Sequence, residues 1–208
     1  MPARQRCRAK ARRYTGRNPA PPPVMRAFLA VELSADLHAR LVAVQHELAR
    51  HRAAVRWARD DQLHVTLKFL GNVEEAALGE LRQVLSPALR AAPPLAAEVR
   101  GLGTFPDLRR PRIVWAGVEC APLAGIAGAV DAAAARIGIA PETRPFHAHV
   151  TIGRVNGSAR WAPLGREIVA RASEDFGACT FSELVAFRSD LRPDGALYTK
   201  LWSIPFGG

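Results

Sequence analysis

The chain has 208 residues, 49% hydrophobic and 23% charged, the balance of a soluble globular protein with room for one domain or two closely packed lobes. No apolar run approaches the ~20 residues that span a bilayer, and Cys7, Cys120 and Cys179, an odd number without CxxC spacing, read as reduced thiols of a cytoplasmic protein rather than a disulfide framework or zinc site. Of the net charge of +10, seven units come from Arg4, Arg6, Arg8, Lys10, Arg12, Arg13 and Arg17, which leaves +3 for the rest and makes the overall basicity weak evidence for nucleic-acid binding by the folded body.

Residues 1–24, ending in a Pro21-Pro22-Pro23 run, read as a basic disordered tail or as sequence upstream of a natural start at Met25. The folded unit is expected over 25–208 as a single domain. Phe28 to Leu33 predicts a buried strand, and Ser34 an N-cap. Leu37, Leu41, Val44 and Leu48 then fall on one helical face, with His38, His46 and His51 as rim histidines. Val55 to Trp57 and Leu63 to Leu70 predict strands, the second stopped by Gly71-Asn72. Leu78, Leu81, Leu85 and Leu89 stripe a helix from Glu74 to Ala91 that Pro93-Pro94 ends.

The second half repeats this grammar. Strands are predicted over Leu95 to Leu102 and Ile113 to Val118, around a loop that carries Arg109, Arg110 and Arg112. An Ala-rich helix follows from Pro122 to Ile137, then a strand from His147 to Arg154 and a helix from Trp161 to Ala172. A final strand pair, Thr180 to Arg188 and Ala196 to Ile204, turns at Pro193-Asp194-Gly195. The expected fold is α+β, with two sheets, a cleft between them and helices outside.

His64-Val65-Thr66-Leu67 returns 85 residues later as His149-Val150-Thr151-Ile152. In an extended strand residues i and i+2 share a face, so each copy presents an imidazole and a hydroxyl together, roughly 6–7 Å apart along the strand. One copy is more simply a half-buried strand; two copies, each followed by a basic residue (Lys68, Arg154), favour a duplicated fold with a shared site. Imidazole is available in both protonation states near neutrality, and hydroxyl and cationic donors suit phosphoryl oxygens. Lys68 shares the parity of His64 and Thr66, whereas strict alternation turns Arg154 away from His149 and Thr151. For base stacking the candidates are Trp57, Phe105, Trp115 and Phe146.

These residues resemble the 2H phosphoesterases, and within them the bacterial RNA 2′,3′-cyclic phosphodiesterases, historically called 2′-5′ RNA ligases. The resemblance runs from about Met25 to the C-terminus. It is carried by Arg26 to Leu33, by Leu63-His-Val-Thr-Leu-Lys-Phe-Leu-Gly71, by Gly103 to Pro106 and by Arg110 to Gly117. Pro145-Phe-His-Ala-His-Val-Thr-Ile-Gly-Arg154 and Ser189 to Gly195 with Tyr198 complete it. It implies a bilobal, pseudo-symmetric fold in which two antiparallel-rich sheets face a central cleft that both motifs line, and hydrolysis of RNA 2′,3′-cyclic phosphate ends to 2′-phosphomonoesters, without metal or cofactor. His64 would be the proton donor and His149 the proton acceptor; Thr66, Thr151 and Arg154 would bind the phosphate, with Lys68 a further candidate. Partners are then RNA with a cyclic phosphate end or small cyclic nucleotides, on a protein that reads as a monomer and uses no membrane.

Three rivals stand beside this. His147, His149 and His64 could form a zinc site, which would leave the threonines without a role. A non-catalytic RNA-end-binding module would explain the arginines and aromatics but not two matched His/Thr pairs. Ligation of cyclic phosphate and 5′-hydroxyl ends is a related reaction at the same site.

Overall fold

Strand β1 (Val24–Glu32) buries five consecutive residues, Ala27 to Val31, because β3 and β8 flank it on both edges and side chains pack on both of its faces. Residues 24–193 and 195–207 are described in this computed structural model, so of the basic tail only Val24 falls within it. Helix α1 (Ala35–Ala49) starts at Ser34 and turns Leu37, Leu41, Val44 and Leu48 inward. Then come β2 (Val55–Trp57), a 3-10 turn (Asp60–Gln62), β3 (His64–Glu74), α2 (Glu75–Ala91), β4 (Leu95–Phe105) and β5 (Ile113–Glu119). Helix α3 (Leu123–Arg136), β6 (His149–Val155), α4 (Trp161–Ala170), β7 (Asp175–Phe181), β8 (Glu183–Arg192) and β9 (Gly195–Pro205) complete the α+β chain.

The two expected sheets are one. Among the described residues all nine strands join in a single antiparallel sheet of order β7-β4-β5-β6-β3-β1-β8-β9, with β2 beside β6. The join at its centre is a single residue pair, Val65 with Val150, between the two motif strands. Each motif thus lies at the inner edge of one lobe of the sheet, and the middle residues of the two copies meet.

The lobes are not the two halves of the sequence. Strands β8 and β9 return from the C-terminus to pair beside β1, whereas α1 and β2 pack on β6 and β7 in the other lobe, and α3 packs on β3 and α2. The strand expected over Thr180 to Arg188 is in fact two. Thr180 and Phe181 end β7 at one outer edge, and after Ser182 the chain enters β8 beside β1. No Gly or Pro marks that break, so the run reads as continuous. Gly71-Asn72 does not stop β3 either: Gly71, at φ +67°, sits in a bulge opposite Ala27 and Phe28, and pairing with β1 continues to Glu74.

The main core lies between the sheet and the helices and includes Val65, Leu67, Val150 and Ile152, each at most 5% exposed. A smaller aromatic cluster, Phe28, Val185 and Phe187 with Tyr198, lies on the other face of the β1 lobe.

Candidate active site

Antiparallel pairing at Val65 and Val150 sets His64 across from Thr151 and Thr66 across from His149. The valines point into the helix-covered core. By alternation both histidines and both threonines therefore share the opposite face, where all four are half-buried and line one cavity of about 900 Å³. The four residues expected to form a joint site are thus brought together from separate strands.

Each motif strand then departs from strict alternation, at the same position. Between Thr66 and Lys68 on β3 the register against Ala30 and Leu29 slips by one residue, and between Thr151 and Gly153 on β6 it slips by one against Trp115 and Val114. A bulge of one extra residue reverses facing beyond it. Arg154, opposite Ile113, therefore lies on the face of Thr151 and lines the cavity. The bulge corrects the expectation that alternation turns Arg154 away. Gly153 sits where β2 crosses: a Cβ there would come within 2.8 Å of the Val55 side chain and 3.0 Å of the Trp57 ring.

Lys68, at the position equivalent to Gly153, also lines the cavity but is held by carboxylates. It is 2% exposed. Its ammonium meets Asp131 at 2.6 Å and Glu142 at 3.2 Å and donates to the Ala140 carbonyl at 2.8 Å. Burial alone would lower its pKa, but the hydrogen bonds to Asp131 and Glu142 prevail and raise it. In the ligand-free protein its donors are engaged on α3 and on the loop that leads to His147 and His149, so Lys68 ties that loop to β3.

The two imidazoles are held differently. His149 Nδ1 lies 2.7 Å from the His147 carbonyl; a carbonyl only accepts, so Nδ1 carries the proton and neutral His149 has its lone pair on Nε2. Its ring stands edge-on to Phe105, centroids 5.0 Å apart. His64 stacks on Phe28 at 4.9 Å and meets the edge of Tyr198 at 5.4 Å. Burial against these rings, aided by the nearby charge of His149, pushes its pKa down to about 4. Burial also lowers His149, although the His147 carbonyl opposes the shift.

His147 is exposed, its ring 6.1 Å from that of His149. Among the described residues no group of three or more His, Cys, Asp or Glu is placed to hold a metal ion. His38 is tied to the Asp60 carbonyl, away from the cavity. Trp57, Phe105 and Phe146 line the cavity, whereas the Trp115 ring lies over Gly103, where a Cβ would approach it to 2.2 Å. Arg109, Arg110 and Arg112 are not among the lining residues, and Asp107 caps the backbone N–H groups of the first two. The sequence reading missed Arg56 and Phe69. Phe69 is 57% exposed at the cavity edge. Superposing the two motifs residue by residue would have found it, since Phe69 and Arg154 are both five positions past their histidine.

The model of the LigT like phosphoesterases matches the chain twice, over 31–115 and 118–198, once around each motif. The chain belongs to the LigT-like phosphoesterase family. A relative in Methanothermobacter thermautotrophicus named RNA 2′,3′-cyclic phosphodiesterase is 34% identical over 85% of this chain and 96% of its own. Another of that name in Aquifex aeolicus is 29% identical over 89% and 99%. Among solved structures, TT0787 of Thermus thermophilus superposes with a TM-score of 0.74 at 29% identity, over 88% of this chain and 99% of that one. Apo LigT of E. coli superposes with 0.72 at 23% identity, over 88% and 97%, a likeness of fold. The double match agrees with the duplication read from the repeated motif.

Proposed function

We propose that this LigT-like phosphoesterase opens the 2′,3′-cyclic phosphate at the end of an RNA with water and leaves a 2′-phosphomonoester. Two relatives spanning nearly the whole chain carry the name of that activity. The observation that bears most weight is the facing of His64/Thr66 and His149/Thr151 across the Val65–Val150 pair into one cavity.

Water attacks phosphorus, and its proton passes to Nε2 of His149, the nitrogen left free by the His147 carbonyl. The bond from phosphorus to O3′ breaks, and a proton from His64 goes to the departing oxygen. Motifs from opposite sides of the join suit an in-line displacement, in which base and acid act on opposite sides of phosphorus. Thr66 and Thr151 donate to the non-bridging oxygens. His64 is neutral in the free protein at pH 7 because its pKa is about 4. A phosphodiester anion beside it favours the imidazolium and supplies the acid form in the complex. Two imidazoles cover both proton transfers, so these residues call for no Lewis acid. Phe69 offers its exposed ring as a platform for the terminal base.

The test is incubation with RNA ending in a 2′,3′-cyclic phosphate in the presence of EDTA, followed by identification of the product. A 2′-phosphate is expected. A 3′-phosphate would exchange the acid and base roles, and an intact substrate would remove the activity.

A further inference from the structure

Beyond the His/Thr quartet the cavity face carries one more cross-strand pair, Arg56 on β2 directly opposite Arg154 on β6. Strand β2 runs along the same edge of β6 as the start of β3, so Arg56 continues the line of His64 after the 3-10 turn loops out. Counted on β5, the Arg154 row opposite Ile113 lies two residues beyond the Thr151 row opposite Trp115. Two strand rises place the guanidinium row roughly 6–7 Å past the His64/Thr151 row.

Like charges directly opposite on neighbouring strands are destabilising; Arg56 and Arg154 are both exposed, so water screens their contact, but no carboxylate among the described residues neutralises the pair. Neither Arg56 nor Arg154 has an ion-pair or hydrogen-bond partner among the described residues, and both carboxylates of the cavity wall, Asp131 and Glu142, are taken by Lys68. Arg144 on the same wall is likewise without a carboxylate. A singly charged cyclic phosphate held by the quartet does not use this much positive charge. Two planar forks side by side suit the oxygens of a second phosphate.

We infer that Arg56 and Arg154 form a subsite for the phosphate on the 5′ side of the terminal nucleotide, so that the enzyme selects polynucleotide or 5′-phosphorylated ends over nucleoside cyclic phosphates. The inference rests on the proposed hydrolysis and adds Arg56 as a specificity residue. Along the motif strands the order is Phe69, then the quartet, then the two arginines. Around the ribose ring the base is carried on C1′, the cyclic phosphate on C2′ and C3′, and C5′ on C4′, so the phosphate is attached between the other two. The cavity repeats that order, with base platform, reaction centre and second phosphate in line.

The experiment measures kcat/KM for adenosine 2′,3′-cyclic phosphate and for its 5′-phosphorylated form, in the full-length protein and in Arg56→Gln and Arg56→Lys. Wild type should prefer the 5′-phosphorylated substrate by on the order of 10- to 100-fold, the worth of hydrogen bonds to a charged group. The ratio should collapse towards one in Arg56→Gln and be partly kept in Arg56→Lys. Because the like-charge contact is relieved, the melting temperature of ligand-free Arg56→Gln should not fall; a fall together with an unchanged ratio would make Arg56 structural and overturn the subsite. Equal turnover of both substrates by wild type would overturn it while leaving the hydrolase intact. Failure to hydrolyse either would remove both.

Discussion

His64 and His149 are each followed by Val-Thr in sequence but have different surroundings in space, and the proposed division of tasks rests on that difference. A carbonyl fixes the proton of His149 on Nδ1, whereas His64 is held by aromatic packing and has no hydrogen-bond partner among the described residues. Replacing either by alanine should lower turnover by about 10²–10⁴-fold, the usual share of one proton-transfer group, while far-UV circular dichroism stays native; an unchanged rate would take that residue out of the mechanism. The pH profile carries a sharper test. The imidazole pKa of His64 is about 4 and that of His149 is also lowered from the ordinary 6.5. Productive enzyme holds one proton on the pair, so kcat/KM, which reports the free protein, should be bell-shaped with both limbs below pH 6.5. Above the upper limb both rings are neutral and the acid is lost; below the lower limb both are charged and the base is lost. Bound phosphodiester raises both values, so the kcat profile should move to higher pH. An alkaline limb of kcat/KM above pH 7 would contradict the burial of these rings.

Two matching bulges, one just past the threonine of each motif, decide how the next residues face. The repeated motif, its strands and the shared face of its His and Thr were legible because a period of two survives in Leu63 to Leu67 and in Val150 to Ile152. The facing of the residues past each bulge was not legible, because a bulge leaves no mark in the hydrophobic pattern. Parity places Lys68 with His64 and turns Arg154 away; past the register slips Arg154 faces the cavity, and Lys68, which also lines it, is buried against Asp131 and Glu142. Lys68→Met should consequently weaken the fold, as breaking a buried ion cluster does. We expect about 2–4 kcal/mol in urea denaturation, below the full cost of a wholly buried pair because Glu142 stays half exposed. A lysine that bound phosphate would instead raise KM at unchanged stability. Phe69 takes the place in β3 that Arg154 takes in β6, and the bulge turns its ring outward beside Phe28. Phe69→Ala should raise KM by the equivalent of about 1–3 kcal/mol of lost base stacking, with little change in kcat. Equal KM values in steady-state assays with an RNA end would mean that the base lies elsewhere.

At the scale of the molecule, a sheet that narrows to the single Val65–Val150 pair could behave as two units that melt apart. The chain path argues otherwise. Helix α1 leaves β1 in one lobe and packs on β6 and β7 in the other, α3 leaves β5 and packs on β3 and α2, and β8 and β9 close the lobe that β1 began. This exchange was hidden in the sequence, where each half shows the same order of elements and nothing in a helix's apolar stripe names the strand it will cover. Neither lobe can be completed by a contiguous stretch of chain, so neither can bury its core alone. Unfolding in urea should therefore follow one transition, with tryptophan fluorescence coinciding with far-UV circular dichroism. Trp57, Trp115 and Trp161 report the lobe around β5, and Trp202 on β9 reports the other. Val150→Ala, at a site with no exposure, should shift that single transition by roughly 1.5–3 kcal/mol. It should also lower turnover, because the strands that the two valines hold together carry His64 and His149, the proposed acid and base. Two resolved transitions, with Trp202 leaving before or after the rest, would show that the lobes hold themselves up separately, and the shared site would then depend on the valine pair alone.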